Sequence, residues 1–193
     1  MGKLRRILRA SLSAGMATFL LCAGQPVQAQ TQSELEYRSK ASFLSKFPLF
    51  IEWPEGALPA AGAPFLICVF GVFPFGVSLA AVTRGSTIHE RRVEARWVHK
   101  EEELSACQIV FVSRSERKKY SRIIETLRER MVLTVGETPE FLDAGGIVAF
   151  SMDGGNLQFD VNLAGANRSR LKMRSQLLAL ARHVVNQAEA AKI

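Results

Sequence analysis

Phe65-Leu66-Ile67-Cys68-Val69-Phe70 is apolar at every position and follows the breaker Gly62-Ala63-Pro64. A run of strand length with no polar face needs cover on both sides. That is the situation of a central strand in a mostly parallel sheet, and not of a half-exposed antiparallel one. Gln108-Ile109-Val110-Phe111-Val112 shares this character from Ile109 onward, and Val132-Leu133-Thr134-Val135 reads as a short further strand. The chain therefore has to supply helices for two faces of one sheet.

The intervening segments supply them. Pro74–Thr83 fits a helix, and Thr87–His89 with Val93–Val98 forms a strand whose alternation leaves one face exposed. Lys100–Leu104 makes a helical turn. Ser115–Arg130 is highly charged, yet Ile123, Ile124 and Leu127 draw a narrow apolar stripe, as on a surface helix. Thr138 reads as the N-cap and Pro139 as the first position of a short helix that Gly145-Gly146 closes. Ile147–Met152 and Leu157–Asn162, joined by Asp153-Gly154-Gly155-Asn156, read as a hairpin. Ala166–Ala190 reads as the longest helix, with Leu171, Leu178, Ala181 and Val185 on its apolar face. The expected fold is α/β: a single-domain sandwich with a mostly parallel sheet of about six strands, a C-terminal antiparallel hairpin and flanking helices.

The N-terminus has a different logic. Lys3, Arg5, Arg6 and Arg9 precede an apolar run to Cys22, and Val27-Gln28-Ala29 ends a polar stretch with small residues where a signal peptidase reads. The run from Ala10 to Ala23 is shorter than the ~20 residues of a membrane span. Leu21 before Cys22 is too large for a lipoprotein box. Residues 1–29 are expected to be a cleaved signal peptide and residues 30–193 one domain. Removing four of the 25 basic residues leaves 21 against 18 acidic ones, too even a balance for a nucleic-acid surface. The cluster Arg168, Arg170, Lys172 and Arg174 reads as a solvated helix start.

Catalytic signatures are weak throughout. After the first apolar strand comes Gly71-Val72-Phe73-Pro74-Phe75-Gly76, where bulky residues and proline replace the amides of a phosphate-binding loop. His89, His99 and His183 lack the paired spacing of metal ligands, and no G-x-S-x-G elbow occurs. Asp143, Asp153 and Asp160 are accounted for by turns and strand ends. The reading is a protein without enzymatic activity, cofactor or metal.

The remaining stretch, Tyr37–Pro54, is an amphipathic run with Leu44, Phe47 and Ile51 at helical spacing and Tyr37, Ala41, Phe43 and Phe50 beside them. Pro48 predicts a kink near Phe47, and Pro54 biases Trp53 out of the helix. This segment, ending Phe47-Pro48-Leu49-Phe50-Ile51-Glu52-Trp53-Pro54, resembles the YfiR family of periplasmic proteins. Pro48 departs from the family's usual helix-favouring residue. The strand Leu66–Gly71, the segment Cys107–Val112, Val132–Gly136 before Phe141 and Gly145-Gly146, and Leu157–Leu163 followed by Leu171–Leu178 match the family in the same order.

The resemblance implies a periplasmic α/β protein, often a homodimer. It would repress a membrane-bound diguanylate cyclase by binding its periplasmic sensor domain, lowering cyclic di-GMP signalling, and an outer-membrane lipoprotein would sequester it. Cys68 and Cys107 are then either two small buried hydrophobes or a disulfide, which an oxidising periplasm and neighbouring strands favour. A binding protein of this kind needs exposed apolar side chains. The candidates are Phe43, Phe47, Phe50 and Trp53 at the first helix and Met173, Leu177 and Leu178 at the last. The alternative is a periplasmic small-molecule sensor using the crevice near Gly71–Gly76 and Ser113-Arg114-Ser115.

Overall fold

Helix α1 (Val27–Lys46) opens the computed structural model, which describes residues 27–186. The expected leader, apart from its last three residues, lies outside the described residues. Ala41, Leu44 and Phe47 recur along one face and are buried. Pro48 has no amide to continue the helical ladder. The α-helix accordingly stops at Lys46 and gives way to the 3₁₀ turn η1 (Phe47–Phe50), with the proline at its start. The bend expected near Phe47 is thus a change of helix type. Pro48 and not Pro54 ends the helix, because the chain is already extended in β1 (Ile51–Glu52).

From there the chain alternates. β2 (Phe65–Phe70) leads to α2 (Ser78–Thr83), β3 (Thr87–Ile88) and β4 (Arg91–Val98), then a 3₁₀ segment η2 (Glu101–Ala106) and β5 (Ile109–Val112). A further 3₁₀ segment η3 (Arg114–Lys119) runs into α3 (Tyr120–Leu127), β6 (Leu133–Gly136) and α4 (Glu140–Asp143). β7 (Val148–Asp153) and β8 (Asn156–Asn162) form the expected hairpin. Its two-residue loop, Gly154-Gly155, takes φ of +54° and +84°, which residues with a Cβ adopt only at a cost.

The main sheet has eight strands in the order β10-β8-β7-β6-β5-β2-β4-β3, with β4, β2, β5, β6 and β7 mutually parallel. β2 and β5 are buried at every residue, as their unbroken apolar sequence requires, and so is β6, whose Thr134 hydroxyl accepts from the Ile147 amide at 3.1 Å. On one face the sheet packs against Ala41 and Leu44 of α1, Phe47 of η1 and Leu79 of α2; on the other it packs against Leu104, Tyr120, Ile123, Leu127 and Phe141. Within the second core Cys68 of β2 and Cys107, just ahead of β5, form a disulfide across adjacent strands, with Cα atoms 6.0 Å apart. The capping expected of Thr138 is absent: Pro139 occupies the cap of α4, with no side-chain bond to the helix.

The long helix expected over Ala166–Ala190 does not form in the described residues. In its place are α5 (Leu163–Arg168), β9 (Lys172–Met173), α6 (Ser175–Leu178) and β10 (His183–Val185). Three local causes are visible. Asn162 Oδ1 accepts from the Gly165 amide at 3.1 Å and starts α5 early. Arg170 turns the chain at φ +55°. Arg182 and His183 tie the last strand to Asp160 of β8, so His183-Val184-Val185 joins the sheet edge in parallel. Leu171 still reaches the core from the connection between α5 and β9, and Leu177 does so from α6. β9 pairs antiparallel with β1 in a second, two-stranded sheet. The two-residue β1, β3 and β9 and the three-residue β10 account for the excess over the six strands expected.

Candidate functional site

In the parallel part of the sheet β4 and β5 flank β2 on opposite sides, so the strand order reverses at β2. Open α/β sheets ordinarily offer a ligand crevice at such a point, beyond the carboxyl ends of the strands. Here Gly71-Val72 leaves β2, Ser113-Arg114-Ser115 leaves β5 and Glu137 leaves β6. Gly71 adopts φ +93°, and a Cβ there would lie 2.6 Å from Ser115 Oγ, the atom that accepts from the Val72 amide at 3.0 Å. Gly136 is equally constrained, since its Cβ would fall 2.2 Å from the Phe141 ring. The strand ends are therefore drawn close together.

Side chains of α1 fill the space they leave. Lys40, 1% exposed, donates from Nζ to Glu137 Oε2 at 2.7 Å and also bonds Glu36. Tyr37 Oη donates to the same Glu137 oxygen at 2.9 Å, and the Arg114 amide donates to Glu137 Oε1 at 2.8 Å. The Arg114 guanidinium lies 3.3 Å from Glu137 Oε2 and 3.4 Å from Glu36 Oε1. Two cations and two carboxylates thus balance around a side chain with no exposed surface. Burial alone would push the Glu137 carboxyl up. The Lys40 charge and the bonds from Arg114 and Lys40 outweigh it and hold the group below the usual carboxylate range. Burial, then the Glu137 charge, pushes the Tyr37 hydroxyl well above its ordinary value. The Glu137 bond raises Arg114 likewise. A carboxylate of the protein itself occupies the place where an anionic ligand would sit, which makes the crevice an anchorage for α1.

The candidate partner-binding residues divide. Phe47 and Leu177 are core residues, 1% and 2% exposed. Phe43, Phe50, Trp53, Met173 and Leu178 are half-buried. The β1–β9 pairing aligns Ile51 with Met173, and the Arg174 amide donates to Phe50 O at 2.9 Å. Two groups far apart in sequence therefore meet at one corner, formed by η1, β1, β9 and α6. Leu49, not singled out from the sequence, adds a 55% exposed side chain there. Phe43 instead lines an open depression of about 260 Å³ with Leu157, Phe159, Leu180 and Arg182. His89, His99 and His183 lie on separate strands or turns, and no group of metal-ligating side chains gathers among the described residues. Asp160 is engaged by Arg182 and His183. Burial opposes its charge, but those bonds hold it below its ordinary value.

The sequence reading passed over the Glu137 cluster. Its signal was Lys40, which falls on the apolar stripe three residues after Tyr37 and four before Leu44. A lysine on a buried stripe demands a counter-charge.

A sequence model of the YfiR/HmsC-like family matches residues 37–182. The chain belongs to the YfiR/HmsC-like family. The matched span begins at Tyr37 and ends at Arg182, so the contacts of Tyr37, Lys40 and Arg114 to Glu137 and the Arg182 bond to Asp160 fall within it. None of the curated proteins is similar to the chain at a significant level. Among solved structures, a conserved domain protein from Vibrio cholerae aligns with a TM-score of 0.55 at 9% identity, covering 77% of this chain and 60% of its own. An ABC domain in complex with L-Trp from Streptococcus pneumonia aligns at 0.51 and 7%, with the same coverage. Both likenesses concern the fold alone, and this chain spans 60% of each. Among the described residues no helix is long and apolar enough to cross a membrane.

Proposed function

We propose that the protein is a periplasmic regulator, exported by a signal peptide over residues 1–29. It represses a membrane-bound diguanylate cyclase by binding that enzyme's periplasmic sensor domain. The family match over residues 37–182 carries this reading, because YfiR/HmsC-like proteins are regulators of such cyclases and not catalysts. The geometry supports it in two ways. The crevice where this architecture would take a substrate is filled by Lys40, Tyr37 and Glu137. Apolar side chains gather instead at the corner of Leu49, Phe50, Trp53, Met173 and Leu178, as the core of a protein interface requires. The protein acts as a homodimer, and an outer-membrane lipoprotein that sequesters it relieves repression.

Crosslinking the exported protein to its neighbours and identifying the adducts by mass spectrometry tests the reading. An inner-membrane cyclase among the adducts, whose purified sensor domain binds the protein, is the expected result. No cyclase adduct, together with a large melting shift from a small metabolite, would move the function to ligand sensing. The depression beside Phe43 and Leu180 would then be its site.

A further inference from the structure

We propose that the buried Lys40–Glu137 pair fixes the register of α1 on the sheet and thereby positions the corner formed by η1, β1, β9 and α6. The assignment of that corner to partner binding rests on the reading of the preceding section; the coupling between the ion pair and the corner does not. α1 meets the sheet through Ala41 and Leu44, and the stripe continues through Phe47 of η1. Apolar attraction has no direction, and a stripe that repeats every three or four residues offers similar contacts after a slide along the helix axis. The charged contact admits one position. Lys40 donates to Glu137 Oε2 at 2.7 Å, and Tyr37, almost one turn earlier, donates to the same oxygen at 2.9 Å. A slide of one turn, about 5.4 Å, would bring Leu44 or Glu36 to the Glu137 carboxylate in place of Lys40, an apolar group in one direction and a like charge in the other. Selecting one register among several is the best-attested use of a buried polar group.

The register passes to the corner without a linker. α1 runs to Lys46 and continues directly as η1, so Phe50 stands roughly 17 Å along the chain axis from Lys40, at the rises of the two helix types. There Phe50 O accepts from the Arg174 amide at 2.9 Å, and β1 pairs Ile51 with Met173 and Glu52 with Lys172. A ladder of two residue pairs is too short to hold its own place. The remaining anchors of this end, buried Ile51 and the Trp53 ring edge-on to Phe65 at 5.4 Å, are again apolar. Phe50, Trp53, Met173 and Leu178 therefore take their arrangement from where α1 delivers η1, and Lys40 and Glu137 are positioning residues for that surface.

Amide hydrogen exchange of the double variant Lys40→Met with Glu137→Gln tests the coupling. Removing both charges together leaves no unpaired ion of the pair in the interior, and glutamine keeps an acceptor for the Arg114 amide, so the variant is expected to fold. The Arg174 amide, bonded to Phe50 O, is expected to exchange on the order of tenfold faster than in wild type, while the Leu133 amide, bonded to Gln108 O at 2.9 Å in the central sheet, changes less than about twofold. An Arg174 amide as protected as in wild type overturns the proposal. Equal loss at both amides also overturns it, as does a variant that does not fold, because the pair then supplies stability and not position. Binding of the cyclase sensor domain is measured beside exchange and is expected to weaken in the double variant. A wild type that does not bind the domain defeats the regulatory reading, while exchange at Arg174 still decides the coupling.

Discussion

Lys40 and Glu137 are the residues on which the rest of the charged crevice depends. Removing either partner of a buried ion pair leaves the other desolvated, at roughly 3–5 kcal/mol. Lys40→Met is therefore expected to lower the melting temperature by about 2–4 °C per kcal/mol lost. The sign of the pH dependence follows from Glu137, whose carboxyl is held down in the folded state. Its contribution is complete above the unfolded value of ~4.3 and is lost as pH falls through the folded one. Glu137→Gln should melt lower at pH 7 and show less further loss between pH 5 and 3 than wild type; equal acid sensitivity contradicts the assignment. Lys40 was legible in principle, as a cation on an apolar stripe. Glu137 was not, because its partners arrive from α1 and from the end of β5, 97 and 23 residues away.

At the scale of elements, unbroken apolar runs foretold β2 and β5 because burial on both faces leaves one reading. The C-terminal segment failed for the opposite reason. Leu171, Leu178, Ala181 and Val185 have helical spacing, but the Asn162 cap, the turn at Arg170 and the clamp on Asp160 divide the segment into short pieces. Tertiary contacts overrode a weak local preference. Those pieces bring the two groups of candidate apolar residues to one corner, and substitution separates core from surface there. Leu177→Ala, in the core, should cost ~2–5 kcal/mol. Phe50→Ala, half-buried, should melt closer to wild type while weakening partner binding. Comparable melting losses in both would make Phe50 a packing residue, and melting curves beside a binding assay decide the matter.

For the molecule as a whole, the disulfide closes a loop of 39 residues between adjacent buried strands. The chain-entropy model puts its worth at about 4 kcal/mol. Reduced protein should unfold at a correspondingly lower denaturant concentration, and unreduced, unfolded protein should resist alkylation at Cys68 and Cys107; labelling of both would show the bridge absent from the exported form. The fold class and both cysteine partners were legible in the sequence, since they depend on strand order. The functional surface was legible only in part, because a side chain such as Phe47 or Phe50 reveals its side only once the sheet is assembled. The central claim, regulation by binding, is tested most directly by the cyclic di-GMP content of a deletion strain carrying its cognate cyclase. Regulation by binding predicts a rise that restoring the wild-type chain reverses; an unchanged level in the deletion strain would contradict it.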